Sequence, residues 1–237
     1  MVSLVLIGRC DVVGHRITSC GYGRAASFGI ACAFQVGELH IESNEVMDTG
    51  FAAGEDSVSN RAYGIFGELI LEARIESNLV TYSTLNGLDP NREDRALRMR
   101  GILDRQLPVG GTALTFGFPI QIMNNKFIGA GRSALVELAQ ASSPIGQQMV
   151  FVRFERVNFD HNYCNHFVAS QDIQRTTVSL TGRQGIVMGN HIKSTIPISP
   201  SVDFNGMRGT FIGNVTVGGS NLNPDFPNTE NQFNIIA

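Results

Sequence analysis

Read for its apolar and polar positions, the chain returns repeatedly to one pattern: apolar, any, apolar, any, any, Asn, any, apolar. It is met in LHIESNEV (39–46), ARIESNLV (73–80), IQIMNNKF (120–127) and VNFDHNYC (157–164). With 18 Asn and 43% apolar residues, a shuffled chain would give about 1.4 such matches. A variant with Gly before the polar residue adds IVMGNHI (186–192), TFIGNVTV (210–217) and, with His for Asn, DVVGHRI (11–17). The series His15, Asn44, Asn78, Asn125, Asn162, Asn190, Asn214 has gaps of 29, 34, 47, 37, 28 and 24 residues. A basic period in the low twenties, lengthened by loops of unequal size, produces such gaps.

The pattern has a direct physical reading. Two apolar residues two apart face the same side of a strand. A bend follows, with Asn in it, and the apolar residue two further on opens the next strand. Asn suits the bend because it tolerates left-handed backbone angles and its amide bonds neighbouring main chain. Stacked one above another, such Asn side chains can bond in a ladder, and Gly before the Asn meets the same demand for unusual angles. His15 and the six Asn are the expected ladder positions. The first residues, Val2 to Ile7, already read as strand, so the chain is expected to start inside structure, as a segment of a longer protein or assembly.

Two segments depart from the pattern. DPNREDRALRMRGILDR (89–105) offers Asp89 as an N-cap and Pro90 at the first helical position, with Ala96, Leu97, Ile102 and Leu103 apolar, and predicts an inserted helix. GRSALVELAQASS (131–143) predicts another. The first carries Arg92, Arg95 and Arg98 among acidic residues, which reads as a self-paired solvated face or as a face for an anionic partner. Residues 1–220 then form one domain, and 221–237, rich in Asn and Pro, an extended cap or tail.

Composition narrows the picture further. A net charge of −3 gives no reason to expect nucleic acid, and no stretch approaches the roughly 18 to 20 apolar residues of a helical membrane span. Cys10, Cys20, Cys32 and Cys164 are not arranged as CxxC pairs, which argues for free thiols or one disulfide before a metal. No HExxH, GxSxG or GxxxxGK[ST] occurs.

The seven motifs, spread over roughly residues 4 to 217, resemble the right-handed parallel β-helix of the pectate-lyase-like class, and FIGNVTVGG resembles the end of bacterial β-helix repeat proteins. The resemblance implies an all-β fold, a single-stranded β-helix of about seven or eight coils with Asn-containing bends and one or two inserted helices. Its enzymes would call for an adjacent Asp pair, or for calcium-binding acids with an R-x-P-x-x-R stretch; the sequence has no DD and no such stretch. It therefore leans towards a non-catalytic structural or adhesive module, extracellular or particle-associated, without cofactor or metal. Its partners would be other domains or subunits of an assembly, or a second copy, because open coil ends expose strand edges. The alternative is a polysaccharide-binding or polysaccharide-degrading protein, with inserted loops walling a groove and Tyr63, Tyr82 and Tyr163 as candidate surface aromatics. A β-sandwich is the competing fold.

One stretch concentrates chemistry: RVNFDHNYCNHF (156–167). Asp160 with His161 or His166 is a candidate acid/base pair or transition-metal ligand set. Since three other segments share its skeleton without the histidines, the competing reading makes it a rung, with Asn162 in the ladder, Phe159 and Cys164 in the core, and both histidines at the surface. His15, His40 and His191 read as structural. Asn214, formally a glycosylation acceptor in NVT, would be buried as a ladder residue.

Overall fold

The computed structural model describes residues 7–18, 27–32, 36–49, 61–82, 93–101, 103–104, 118–129, 136–138, 151–152, 154–167, 177–181, 184–198, 202–205, 208–219, 229–232 and 234–236. Among them every regular element is a β-strand. A 13-stranded sheet and an eight-stranded sheet hold all but two short strands, and every pairing within the two sheets that the register defines is parallel. Parallel strands cannot be joined by tight hairpins, so each pairing spans a long excursion of chain.

The register resolves three columns of strands. In one, Ile7–Val13, Val36–Glu42, the second half of Arg61–Glu76, Phe118–Met123, Phe154–Asp160, Gln184–Met188, Arg208–Ile212 and Thr229–Gln232 pair in succession. A second column runs in the eight-stranded sheet from Arg16–Thr18 through Glu45–Met47, Leu79–Thr81, Lys126–Gly129, Tyr163–His166, His191–Ile198 and Val215–Gly219 to Ile235–Ile236. The third contains Ser27–Cys32, the first half of Arg61–Glu76, Glu93–Gly101, Val136–Leu138, Val178–Thr181 and Val202–Asn205. The 16-residue strand Arg61–Glu76 belongs to both columns of the larger sheet and joins them.

Inward positions follow the sequence pattern. Leu39 and Ile41, Ala73 and Ile75, Ile120 and Ile122, and Val157 and Phe159 are buried before the bend, and Val46, Val80, Phe127 and Cys164 after it. They form one core with Ile30, Ile65 and Leu97 of the third column. Apolar burial of this kind contributes roughly 1.5–3 kcal/mol for each large side chain.

Two expectations are corrected. Glu93–Gly101, within the segment read as a helix over 89–105, is a strand paired with Arg61–Glu76. Within 131–143, Val136–Leu138 is likewise a strand, paired with Glu93–Gly101 and with Val178–Thr181. The cause is tertiary: Leu97 and Met99, which register with Ile65 and Gly67, are buried by neighbouring strands that local periodicity does not see. Beyond Asn221, Thr229–Gln232 and Ile235–Ile236 add a further strand to each sheet. Val2 to Leu6, Asp89, Pro90, Arg92, Cys20 and most of the inserted loops expected to wall a groove, around residues 84–118 and 131–148, lie outside the described residues.

Candidate functional site

The most regular assembly in the molecule is the row of side chains at the bends. The Nδ2 of Asn44 donates to Oδ1 of Asn78 (2.9 Å), and the same bond links Asn78 to Asn125 (3.0 Å), Asn125 to Asn162 (3.0 Å), Asn162 to Asn190 (3.1 Å), Asn190 to Asn214 (2.8 Å) and Asn214 to Asn234 (3.0 Å). Each Oδ1 also accepts the main-chain N–H of the preceding member, beginning with His15 to Asn44 at 2.9 Å. Each Nδ2 also donates to the carbonyl of an inward residue of the preceding repeat, such as Ile41 for Asn78 and Ile122 for Asn162. The six Asn from Asn44 to Asn214 are buried, so these bonds supply the partners that a buried amide requires.

His15 joins this row through its main-chain N–H, and the residue is exposed. Asn234 joins it, although the sequence pattern does not pick it out: Thr229 and Asn231 stand where the pattern asks for apolar residues. The isolated signal was Ile236, two residues after the Asn.

The left-handed backbone falls one residue earlier than the sequence suggested. It is the residue before each ladder position from His15 to Asn214 that has positive φ: Gly14 (72°), Ser43 (55°), Ser77 (57°), Asn124 (57°), His161 (53°), Gly189 (63°) and Gly213 (63°). That residue makes the turn, and from Gly14 to Gly189 its N–H donates to a carbonyl of the following repeat, as His161 does to Met188 (2.8 Å). Glycine takes this conformation without Cβ strain, which explains the Gly-before-Asn copies.

The stretch 156–167 takes its geometry from that bend. Val157 and Phe159 point inward and Asp160 lies half-buried on the outer surface; His161 is exposed in the turn, and Asn162, Cys164 and His166 are buried. Asp160 and His161 are thus neighbours at the surface, whereas His166, expected at the surface, sits with no exposure in the interior of the eight-stranded sheet. Asp160 faces outward while Asn162 and Cys164 face inward, because the positive-φ residue His161 resets the alternation. Burial raises the Asp160 carboxyl above its ordinary value, opposed by His161 and by a main-chain hydrogen bond from Met188. Among the described residues no three His, Cys, Asp or Glu side chains converge as a metal-ligand set.

The arginines of the corrected segment also have partners. Arg98 donates from a terminal nitrogen to the Tyr63 hydroxyl (2.8 Å) and lies over the Tyr63 and Phe66 rings at 5.4 and 5.9 Å. Arg95 lies 6.0 Å from the Tyr63 ring, and Phe28 stacks on the same ring. Such cation–π contacts contribute about 0.5–2 kcal/mol each. Arg95 and Arg98 are therefore engaged within the molecule. Tyr63 and Tyr82 are buried, leaving Tyr163 as the partly exposed member of the three expected aromatics.

The outward faces differ along the molecule. In the first repeats the outer surface of the larger sheet is ionic: Arg9 pairs with Asp11 at 2.9 Å, His40 lies 3.4 Å from Asp11 and 3.2 Å from Glu42, and Arg74 bonds Glu76 through Nε at 2.8 Å. In later repeats the register places Met123, Asp160, Met188 and Ile212 in one outer row, with Ile186 and Met188 exposed. On the eight-stranded sheet, Lys126, Tyr163 and His191 are successive register partners, the Tyr163 and His191 rings meet edge to face at 5.3 Å, and Asn165 pairs with Lys193. Comparison with family models, with curated proteins and with solved structures finds no match to this chain.

Proposed function

We propose that the three columns close into a right-handed parallel β-helix of eight coils, and that it serves as a rigid, non-catalytic structural or adhesive module of a larger protein or assembly. The observation that carries this reading is the uninterrupted amide row from Asn44 to Asn234, continued to His15 by a main-chain bond. A buried row of this length fixes the relative position of every repeat and contributes nothing to ligand chemistry, since each donor and acceptor is directed at a neighbour in the stack. Right-handed closure is the outcome favoured for parallel crossovers by the twist of the strands. At about 4.8 Å between strands, eight coils extend roughly 35 Å along the axis before loops are added.

A crystal structure of the full chain, combined with a glycan-binding and depolymerase screen, tests the reading. Stacked right-handed coils with no cleavage of polysaccharide are the expected result. Columns that do not close into coils would reject the helix, and catalytic depolymerisation would reject the non-catalytic role.

A second reading, a polysaccharide-binding surface, is favoured by one arrangement: the Tyr163–His191 ring pair flanked by Lys126 and Lys193. Binding in the same screen that is lost in Lys126→Ala and Lys193→Ala would select it.

A further inference from the structure

We propose that the outer face of the eight-stranded sheet, which is basic, docks on the acidic outer face of the larger sheet in a second copy of this chain. The inference rests on the reading of the protein as a module of an assembly, and names the partner. The six strands from Leu79–Thr81 to Ile235–Ile236 contain no Asp or Glu at all. They carry both lysines of the chain, Lys126 and Lys193, and both are exposed. Among the described residues neither lysine pairs with a carboxylate, and His191 is exposed on the same side. Their register neighbours are apolar: Leu79 and Tyr163 flank Lys126, Val215 follows His191 and Val217 follows Lys193. Glu45, on an earlier strand of this face, is held by Arg16 at 3.2 Å. The face therefore supplies its lysines with no counter-charge of its own.

The complementary surface lies on the first three repeats of the larger sheet. There Glu38 is in register with Glu72, and Glu42 with Glu76. Like charges opposite one another on neighbouring strands repel. These four glutamates and Asp11 share two guanidiniums and the His40 imidazole: Arg9 bonds Asp11 and lies 3.7 Å from Glu38, and Arg74 bonds Glu76. Glu72 is exposed and has no cationic partner among the described residues. A second copy that brings Lys126 and Lys193 against this face offsets charge that each lone chain leaves uncompensated, and complementarity of this kind also selects the partner. General repulsion between copies is weak, since the net charge is only −3. The bend separates the two faces, and the acidic one precedes the basic one by roughly 14 Å along the stack at ordinary strand spacing. Each copy thus offers one face of each sign. The contact is heterologous, and every copy added leaves a face free for the next.

The test is the mass of the native full chain, read by light scattering and sedimentation at neutral pH in about 0.01 M and about 1 M salt, where screening lengths are roughly 30 and 3 Å. The expected result is concentration-dependent association past the dimer at low salt and a single chain at high salt. Lys126→Glu with Lys193→Glu should stay single at low salt, and so should Glu38→Lys with Glu72→Lys. An equimolar mixture of these two variants should associate, because the native acidic face of one meets the native lysine face of the other and the reversed faces match as well. All four positions are exposed, and urea midpoints equal to that of the native chain show that both variants fold. Should a variant fold poorly, the salt dependence of the unmodified chain still decides. A native chain that stays single at low salt, association indifferent to salt, or a mixture of folded variants that stays single would overturn the proposal. So would a single native chain that binds alginate through Lys126 and Lys193, which gives that face to an acidic polysaccharide. None of these results touches the stacked coils, which the crystal structure tests separately.

Discussion

Asn162 shows how much one side chain does in this structure. Its Oδ1 accepts from both the main chain and the side chain of Asn125, each at 3.0 Å, and its Nδ2 donates to Ile122 and to Asn190. Asn162→Ala removes the acceptor of the Asn125 main-chain N–H in an interior closed to water, while the Asn125 Nδ2 keeps the Ile75 and Met123 carbonyls. We expect a loss of about 1–3 kcal/mol, read by urea unfolding; unchanged stability would deny the row its structural part. The residue before the ladder position allows a finer test. Gly189 and Gly213 share φ of +63°, yet a Cβ at Gly213 would meet nothing within 4 Å, whereas one at Gly189 would lie 2.8 Å from Nε2 of His161. Gly213→Ala should then cost about 1 kcal/mol from backbone strain alone, and Gly189→Ala more. In a His161→Ala background the two costs should converge, measured as a double-mutant cycle. His161 thereby acquires a concrete steric role beside its neighbour Asp160.

At the scale of elements, the corner where the third column meets the eight-stranded sheet is set by small residues. A Cβ at Gly29 would lie 2.4 Å from Val46 Cγ1, and one at Gly64 would lie 2.3 Å from Val80 Cγ1 and 2.7 Å from the Ala96 carbonyl. Gly64→Ala should lower stability by at least about 1–3 kcal/mol in thermal unfolding. Val80→Ala should recover only part of that loss, since the Ala96 carbonyl remains in place. The same strand pairing explains what could and could not be read from the sequence. The repeats at Asn44, Asn78, Asn125 and Asn162 were legible because two inward apolar residues, the Asn and a further apolar residue recur at fixed offsets. Glu93–Gly101 was not, because Ala96, Leu97 and Met99 also fit a helical stripe and only the neighbouring strand Arg61–Glu76 decides between the two. Asn234 was missed because its preceding strand is polar. For the candidate pair, adjacency of Asp160 and His161 follows from the sequence, but the burial of His166 does not, since the bend shifts the alternation by one residue.

For the molecule as a whole, a stack in which each repeat touches only its neighbours has stability that varies along its length. Cys10, Val12 and Ile17 are only partly buried, whereas Ile120, Ile122 and Phe127 have no exposure. Hydrogen exchange should therefore be fastest at the main-chain amides of Arg9 to Ile17 and slowest around Ile122 to Phe127. Uniform exchange across the stack would instead mean that it opens as a single unit. The amide row carries one more consequence, and it concerns polarity. From Asn44 to Asn214 each Nδ2 donates forward to the Oδ1 of the next member, besides its bond to a main-chain carbonyl, and each Oδ1 points back, so the amide group dipoles add head to tail instead of cancelling. The molecule thus has an electrical sense of direction, with its oxygen pole towards Asn44 and its hydrogen pole towards Asn234. A further repeat fitted in register after Asn234 would have to present an oxygen, and a copy of the stack turned end for end would meet it with the same pole.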